Sequence, residues 1–426
     1  MAIRYRREWI ENGSLKRLLN ELNEGTEPNE NGSITFTARD HSELFDLLAD
    51  GILGPPDIGH AELNGLARRA FLDLRKSAEV DAEDLIKKVR NRVRQRNREP
   101  FKNYAMWTKL RLQHLHPGQR ARFQIDDVTI ELTDSLPRYL QLEEHFVSGV
   151  GRIDPNRLPF FGYVVVRSKG QNVTDGTRKV FDALELFYAV VNTAWRSVNL
   201  WEQRRPSAKF WEGPHQFIFE NRRFLGENRV WYNPEFREDV WNLFPPKSRD
   251  FQQRKRQFRR VLKQLECHPL REVLVNALQS ISSGMESQNL SYRLMRFWSA
   301  AEILYAPSGE RTSSKKIIDR LTFATSDDYR WLDRLKLSAA YEMRNSYVHR
   351  GVNDNDTSLL VQNLREDLLR HIYYLIFSGS DIKSQADLIR MVDMPSTEAS
   401  LESIALAVER RRNILRAIEE NMSNPQ

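Results

Sequence analysis

Three residues with complementary chemistry fall within six positions near the end of a helical stretch: Arg344, Asn345 and His349 in "EMRNSYVHRG". A histidine, with an unperturbed pKa of about 6.5, accepts or delivers protons at neutral pH, and an arginine supplies fixed positive charge suited to phosphate oxygens. Asn345 precedes His349 by four residues, so on a helix the two side chains stack and can hydrogen-bond, orienting the imidazole. Arg350 adds positive charge beside them. The same segment also reads as an ordinary helix end, with His349 and Arg350 complementing the macrodipole and Gly351 forming a left-handed cap. From this helix alone both readings stand.

Spacing by itself does not single the segment out. An arginine followed by a histidine after four to six residues occurs four times: Arg111 to His116, Arg138 to His145, Arg344 to His349 and Arg365 to His371. The first runs from a strand into the turn "HPG", and the second lies in the amphipathic "RYLQLEEHF". His371 follows Leu364 and Leu368 at helical spacing, which places it on an apolar stripe as a core histidine. Around Arg344, by contrast, Leu332, Leu335, Ala339, Met343 and Tyr347 predict a buried stripe. Glu342, Asn345 and His349 then gather along one flank of it and Arg344 along the other.

The elements that would carry these residues form two groups. Residues 1–250 mix helices ("SELFDLLADGIL", "HAELNGLARRAFLDLRKSA", and a basic helix capped by Asp81) with strands ("YAMWTKLRL", "RFQIDDVTIEL", "FFGYVVVRS", "HQFIFE", "RVWYN"). A long helix is expected from Arg178, after the turn "NVTDGT", and a shorter one over "EFREDVWNLF". Beyond "FPPKSRD" the strand pattern ends. A basic connector helix over 251–267 leads into a helical bundle over 268–426, with helices near 269–285, 289–306, 313–325, 329–350, 357–378 and 397–421. The fold class is therefore α+β: a mixed α/β N-terminal part followed by an all-α bundle.

Composition narrows the function. The chain has 426 residues, 65 Lys and Arg against 58 Asp and Glu, and a net charge of +7, which favours acidic partners such as nucleic acid without selecting one. One cysteine, Cys267, excludes an intrachain disulfide framework and a multi-cysteine zinc site, and suits a reducing cytoplasm. No apolar run approaches the roughly 18 residues of a membrane span, and no signal sequence is evident. His114 and His116 lack nearby acidic or cysteine partners at ligand spacing, so no metal site is expected. Without a Walker loop or dinucleotide fingerprint, no cofactor is expected either.

Residues 87–122 carry twelve basic residues against the single acid Glu99. Lys87, Lys88, Arg90, Arg92, Arg94, Arg96 and Arg98, with Tyr104 and Trp107 interleaved further on, read either as an RNA-backbone track with stacking platforms or as a solvated basic surface. A second cluster, Arg254 to Lys263, falls on the connector helix.

"RNSYVH", at the end of the fourth bundle helix, resembles the Arg-x4-6-His motif of HEPN domains. The preceding "LMRFWSAAEILYAPSGERTSSKKIIDRLTFATS", with Trp298 and Glu302 four residues apart, is similar to the ApeA-like branch of that family. The resemblance covers roughly residues 268–380. It implies a metal-independent endoribonuclease acting as a homodimer through the HEPN domain, in which two motifs form one composite site. The RNA 2′-hydroxyl would attack the adjacent phosphate, leaving a 2′,3′-cyclic phosphate and a 5′-hydroxyl. In that reading His349 manages protons, Arg344 stabilises the phosphorane-like transition state, and Asn345 orients the histidine or touches the phosphate, while Glu302 either braces Arg344 or His349 or joins a buried structural ion pair. The resemblance further implies an anti-phage defence or toxin effector that cleaves tRNA or other cellular RNA in response to a phage-derived trigger. Many HEPN domains are inactive, so an RNA-binding or protein-interaction module is the alternative.

Overall fold

The computed structural model describes residues 3–410 except 30, 32, 38–40, 56–57, 111–119, 143–161, 196–211, 227–229, 233–247, 288, 308–310, 324, 326, 351–357 and 395–399. The His114 and His116 pair, the expected helix over "EFREDVWNLF", the cap at Gly351 and the chain after residue 410 lie outside these residues.

The chain begins with a helical unit: α1 (Arg7–Glu11), α2 (Ser14–Glu24), α3 (His41–Asp50), α4 (His60–Arg75) and α5 (Ala82–Arg98). Two small antiparallel pairs accompany it, β1 (Arg4–Tyr5) with β4 (Ile52–Leu53), and β2 (Thr26–Pro28) with β3 (Ile34–Phe36). In α2, Leu15, Leu18, Leu19 and Leu22 recur at the spacing of one helix face and are buried against Phe45, Leu66 and Phe71. In α5, the Asp81 carboxylate caps the first turn by accepting from the Asp84 amide at 2.9 Å. Leu85, Val89 and Val93 then enter the same core.

Next comes a seven-stranded antiparallel sheet: β5 (Lys102–Leu110), β6 (Ala121–Ile125), β7 (Val128–Thr133), β8 (Gly162–Gly170), β9 (Glu212–Glu220), β10 (Arg223–Phe224) and β11 (Val230–Tyr232). The order is β10-β9-β5-β8-β7-β6, with β11 also on β9. Asp126, in the left-handed region at φ 51°, makes the tight turn between β6 and β7. Both faces of the sheet are covered. Met106, Ile130, Val164, Val166 and Ile218 belong to the main core, while Ala105, Trp107, Val165, Phe217 and Phe219 pack with Leu140 in a second cluster.

α6 (Val173–Trp195) lies on the main-core face of the sheet. It starts five residues before the expected Arg178, because the Asn172 side chain accepts from the Asp175 amide at 2.9 Å while Asp175 accepts from the Gln171 amide at 3.1 Å. Gly176, which with Asp175 had suggested a turn, serves packing instead. A Cβ there would lie 2.1 Å from the Tyr104 ring, so only glycine lets α6 approach β5.

The remaining helices are α7 (Ser248–Glu266), α8 (Arg271–Glu286), α9 (Leu290–Tyr305), α10 (Ser314–Leu321), α11 (Asp327–Arg350), α12 (Ser358–Ser378) and α13 (Gln385–Val392), and residues 400–410 are also helical. α13 has no counterpart among the expected helices. The expected basic connector is a packed helix: Phe258, Val261 and Leu265 of α7 are buried in the core that contains α6 and the sheet. That core runs without a break near residue 250, from the sheet through Leu184 and Val190 of α6 into Leu274, Leu278 and Ile281 of α8. The Asn192 amide donates to the Ser282 hydroxyl at 2.8 Å across this seam. A second polar anchor is Arg320, 1% exposed, whose guanidinium holds Asp393 through two 2.7 Å bonds and the Tyr305 carbonyl. The chain is thus an α+β protein, and among the described residues no helix is long and apolar enough to cross a membrane.

Candidate active site

The helix carrying Arg344 turns a different face inward from the one its apolar residues suggest. Leu337 and Ala340 are buried, and Tyr341 and Met343 pack on the core, whereas Leu335 is 61% and Trp331 65% exposed. Of the expected stripe, Met343 packs on the core, Leu332, Ala339 and Tyr347 are half-buried and Leu335 is exposed, while the fully buried positions, Leu337 and Ala340, lie beside it. On that side Trp298 of α9 takes Tyr341 as its partner, ring centroids 5.0 Å apart. Arg344 then follows Leu337, Ala340 and Tyr341 by seven, four and three residues, which makes it the solvent-side end of the packed line rather than a flank.

Four side chains from two helices gather there. Arg344 Nη1 donates to Asn345 Oδ1 at 3.0 Å. Asn345, one turn ahead, and Ser314, in the first turn of α10, are the polar side chains that act most on the Tyr341 phenol. Asn345 first, and then Ser314, hold the phenol pKa below its ordinary value, and the positive charge of Arg344 acts in the same direction. Ser314 is in place because Ser313 caps α10, accepting from the Lys316 amide at 3.3 Å. Among the described residues no carboxylate pairs with Arg344. The arrangement is a partly buried, un-neutralised guanidinium with a phenol and a hydroxyl close by, a set suited to oxyanions.

Glu302 is used differently from the expectation that it braces Arg344 or His349. Its Oε1 accepts from the Trp298 indole at 3.0 Å, which fixes the ring on which Tyr341 rests. Asn345 likewise holds Arg344. His349 and Arg350 occupy the last turn of α11, but their side chains lie outside the described residues. Tyr341 and Ser314 were not singled out from the sequence, although Tyr341 stands three and four residues before Arg344 and Asn345, the spacing at which helical side chains meet.

The basic segment divides into two faces. Arg96 is buried against Glu62, with bonds of 3.0 and 3.2 Å, and Asn172 donates to the same carboxylate. Arg92 pairs with Asp73, and Lys88 lies 3.8 Å from that acid. Lys87, Arg90, Arg94 and Arg98, by contrast, recur at three- and four-residue steps on the exposed side of α5. Trp107 cannot serve as a stacking platform: it is 2% exposed and stacked on Phe217 at 4.4 Å, on a sheet face covered by the Leu140 cluster. Tyr104 is equally buried, its hydroxyl on Glu220 at 3.0 Å.

His371 is a core histidine, as its stripe predicted. It is 5% exposed, its Nδ1 lies 2.7 Å from the Tyr305 hydroxyl, and burial lowers its pKa to about 4. No known protein family, curated protein or solved structure matches the chain.

Proposed function

We propose that the chain is a HEPN-type, metal-independent endoribonuclease. The observation that carries the reading is Arg344: a guanidinium fixed by its neighbour, left without a carboxylate among the described residues, at the open edge of a helical bundle. In the proposed reaction the 2′-hydroxyl of RNA attacks the adjacent phosphorus, forming the O2′–P bond as the P–O5′ bond breaks. His349 takes the 2′ proton, and the 5′ oxygen leaves as a hydroxyl after receiving a proton from the same composite site. Arg344 neutralises charge building on the non-bridging oxygens, a contribution typically worth about 10²- to 10³-fold in rate. The products are a 2′,3′-cyclic phosphate and a 5′-hydroxyl.

The composite site belongs to a homodimer. Exposed apolar residues on α11, Tyr329, Trp331, Leu335 and Val348, support a second copy packing along this helix. The biological role is a cytoplasmic anti-phage defence or toxin effector cutting tRNA or other cellular RNA, switched on by a phage-derived trigger. The test is incubation of wild-type and His349→Ala protein with total RNA in EDTA. Cleavage by wild type alone is the expected result. Cleavage that survives the substitution refutes the assignment of His349, and a requirement for magnesium refutes the mechanism.

A second reading, an RNA-binding module without catalysis, is favoured by one observation: Lys87, Arg90, Arg94 and Arg98 form a single exposed basic face. Such a protein would bind RNA in a salt-dependent manner and leave it intact.

A further inference from the structure

The basic residues of α7 fall on the side of the helix that the core leaves open. Between Asp250 and Glu266 this helix carries six basic residues and no acid. Phe258, Val261, Leu262 and Leu265 are buried, so Arg256, Arg259, Arg260 and Lys263, at three- and four-residue steps, form its exposed face. Among the described residues none of these four pairs with a carboxylate. Two of them are anchored to different neighbours. Arg259 donates to the Arg122 carbonyl of the edge strand β6 at 3.0 Å and lies over the Phe123 ring, 5.8 Å from its centroid. Arg260 lies over the Phe377 ring of α12 at 4.8 Å. Phe377 is itself 38% exposed, and Tyr374, three residues before it on the same face of α12, is 49% exposed. Trp107 is sealed inside a sheet face, but these two rings stand in solvent beside an un-neutralised basic helix.

We propose that α7 and the C-terminal half of α12 form a binding surface for single-stranded nucleic acid, with phosphates along Arg256, Arg259, Arg260 and Lys263 and a base stacked on Tyr374. Like charges three and four residues apart on a helix repel, and a line of phosphates relieves that repulsion. The exposed rings select the single strand, because a duplex keeps its base faces stacked on one another and has none to offer Tyr374. An acidic peptide would meet the charges but would bring no base to the ring. Contacts to phosphates and base faces depend on neither the sugar nor the sequence, so single-stranded RNA and DNA are both ligands. The surface shares no residue with the Arg344 site or with the exposed face of α5, and the inference holds whether or not the protein cleaves RNA.

The test measures fluorescence anisotropy with the full-length protein and three labelled probes. Two are single strands without a 2′-hydroxyl, 2′-O-methyl oligouridylate and oligodeoxythymidylate, and the third is heparin, a polyanion without bases. Tyr374→Ala should weaken binding of both single strands by about 10- to 100-fold, with the salt dependence and heparin binding unchanged. Arg256→Gln combined with Lys263→Gln should weaken binding of all three probes and flatten the dependence of single-strand binding on log salt by about 0.7 for each phosphate released. These side chains are exposed, so melting temperature and the mass in solution should match wild type. Wild-type affinity for the single strands in either variant overturns the inference. So does an equal loss of heparin binding in Tyr374→Ala, which would mark a general polyanion surface, or a change of mass in solution, which would mark a contact between copies. If the α7 and α12 variants bind normally while neutralising Lys87, Arg94 and Arg98 abolishes binding, the strand lies on α5 and this inference alone fails. Neither single strand has the attacking hydroxyl, so the outcome does not touch the ribonuclease reading.

Discussion

The Arg344 guanidinium donates to the side-chain oxygen of Asn345, the very next residue, at 3.0 Å. Consecutive helical residues do not face one another, so this bond requires the arginine to lean across the helix surface, and Asn345 fixes where its charge sits. Asn345→Asp keeps the acceptor but places a full negative charge against Arg344. Its single-turnover RNA cleavage should fall by about 10²-fold, at least as far as that of Asn345→Ala. An aspartate variant with wild-type rates would show that the arginine charge is not what the reaction uses.

A buried ion pair joins α4 to α5 and is linked to α6 through Asn172. The side chains of Arg96 and Glu62 are 8% and 3% exposed, and Asn172, at the start of α6, shares the carboxylate. Removing Glu62 strands a buried guanidinium, so Glu62→Ala should cost roughly 3–5 kcal/mol in urea unfolding. Replacing both partners with apolar residues of similar size should recover most of it.

Trp107 and the exposed face of α5 should separate stability from RNA binding. Trp107→Ala empties a packed sheet face and should cost about 3–5 kcal/mol, without altering RNA affinity of the folded protein. Neutralising Lys87, Arg94 and Arg98, but not Arg90, which also donates to the Ile3 carbonyl at 2.8 Å, should do the reverse. Melting temperature should hardly change, while the dependence of binding on log salt flattens by roughly one for each phosphate no longer neutralised.

His371 makes stability depend on pH. Burial lowers its pKa to about 4 from the ordinary 6.5, so between those values the unfolded chain holds the proton and the native chain does not. Its contribution is complete above pH 6.5 and is lost as pH falls towards about 4, amounting to about 3 kcal/mol at most. Urea titrations at pH 7.5 and 4.5 should show this difference in wild type and a smaller one in His371→Gln.

Much of the scaffold was legible because local signals agreed. Asp81 announced α5, the helices expected near 289–306 and 357–378 are α9 and α12, and alternation found the main strands. What failed did so for identifiable reasons. The Asp-Gly pair at 175–176 suggested a turn because nothing local reveals that Tyr104 needs the space of a missing Cβ. Alternation in β5 could not mark Trp107 as buried or exposed, since the sheet is covered on both faces. α13 escaped notice because Leu388 and Val392 are its only fully buried residues, too few to set a period. On α11 the spacing of Leu332, Leu335, Ala339, Met343 and Tyr347 drew attention away from Leu337 and Ala340, which are the fully buried positions. Arg344 and Asn345 were found from their chemistry; Tyr341 was missed because an aromatic residue at helical spacing reads first as core.

The chemistry of the RNA ends is the sharpest test of the ribonuclease reading. A DNA oligonucleotide carrying a single ribonucleotide is incubated in EDTA with wild-type and Arg344→Ala protein, and the fragments are analysed by mass spectrometry. Wild type should make one cut, immediately 3′ of the ribonucleotide, leaving a 2′,3′-cyclic phosphate and a 5′-hydroxyl, with the rate about 10²- to 10³-fold lower in Arg344→Ala. Cleavage of the all-deoxy control, or fragments ending in a 5′-phosphate, would contradict that reading.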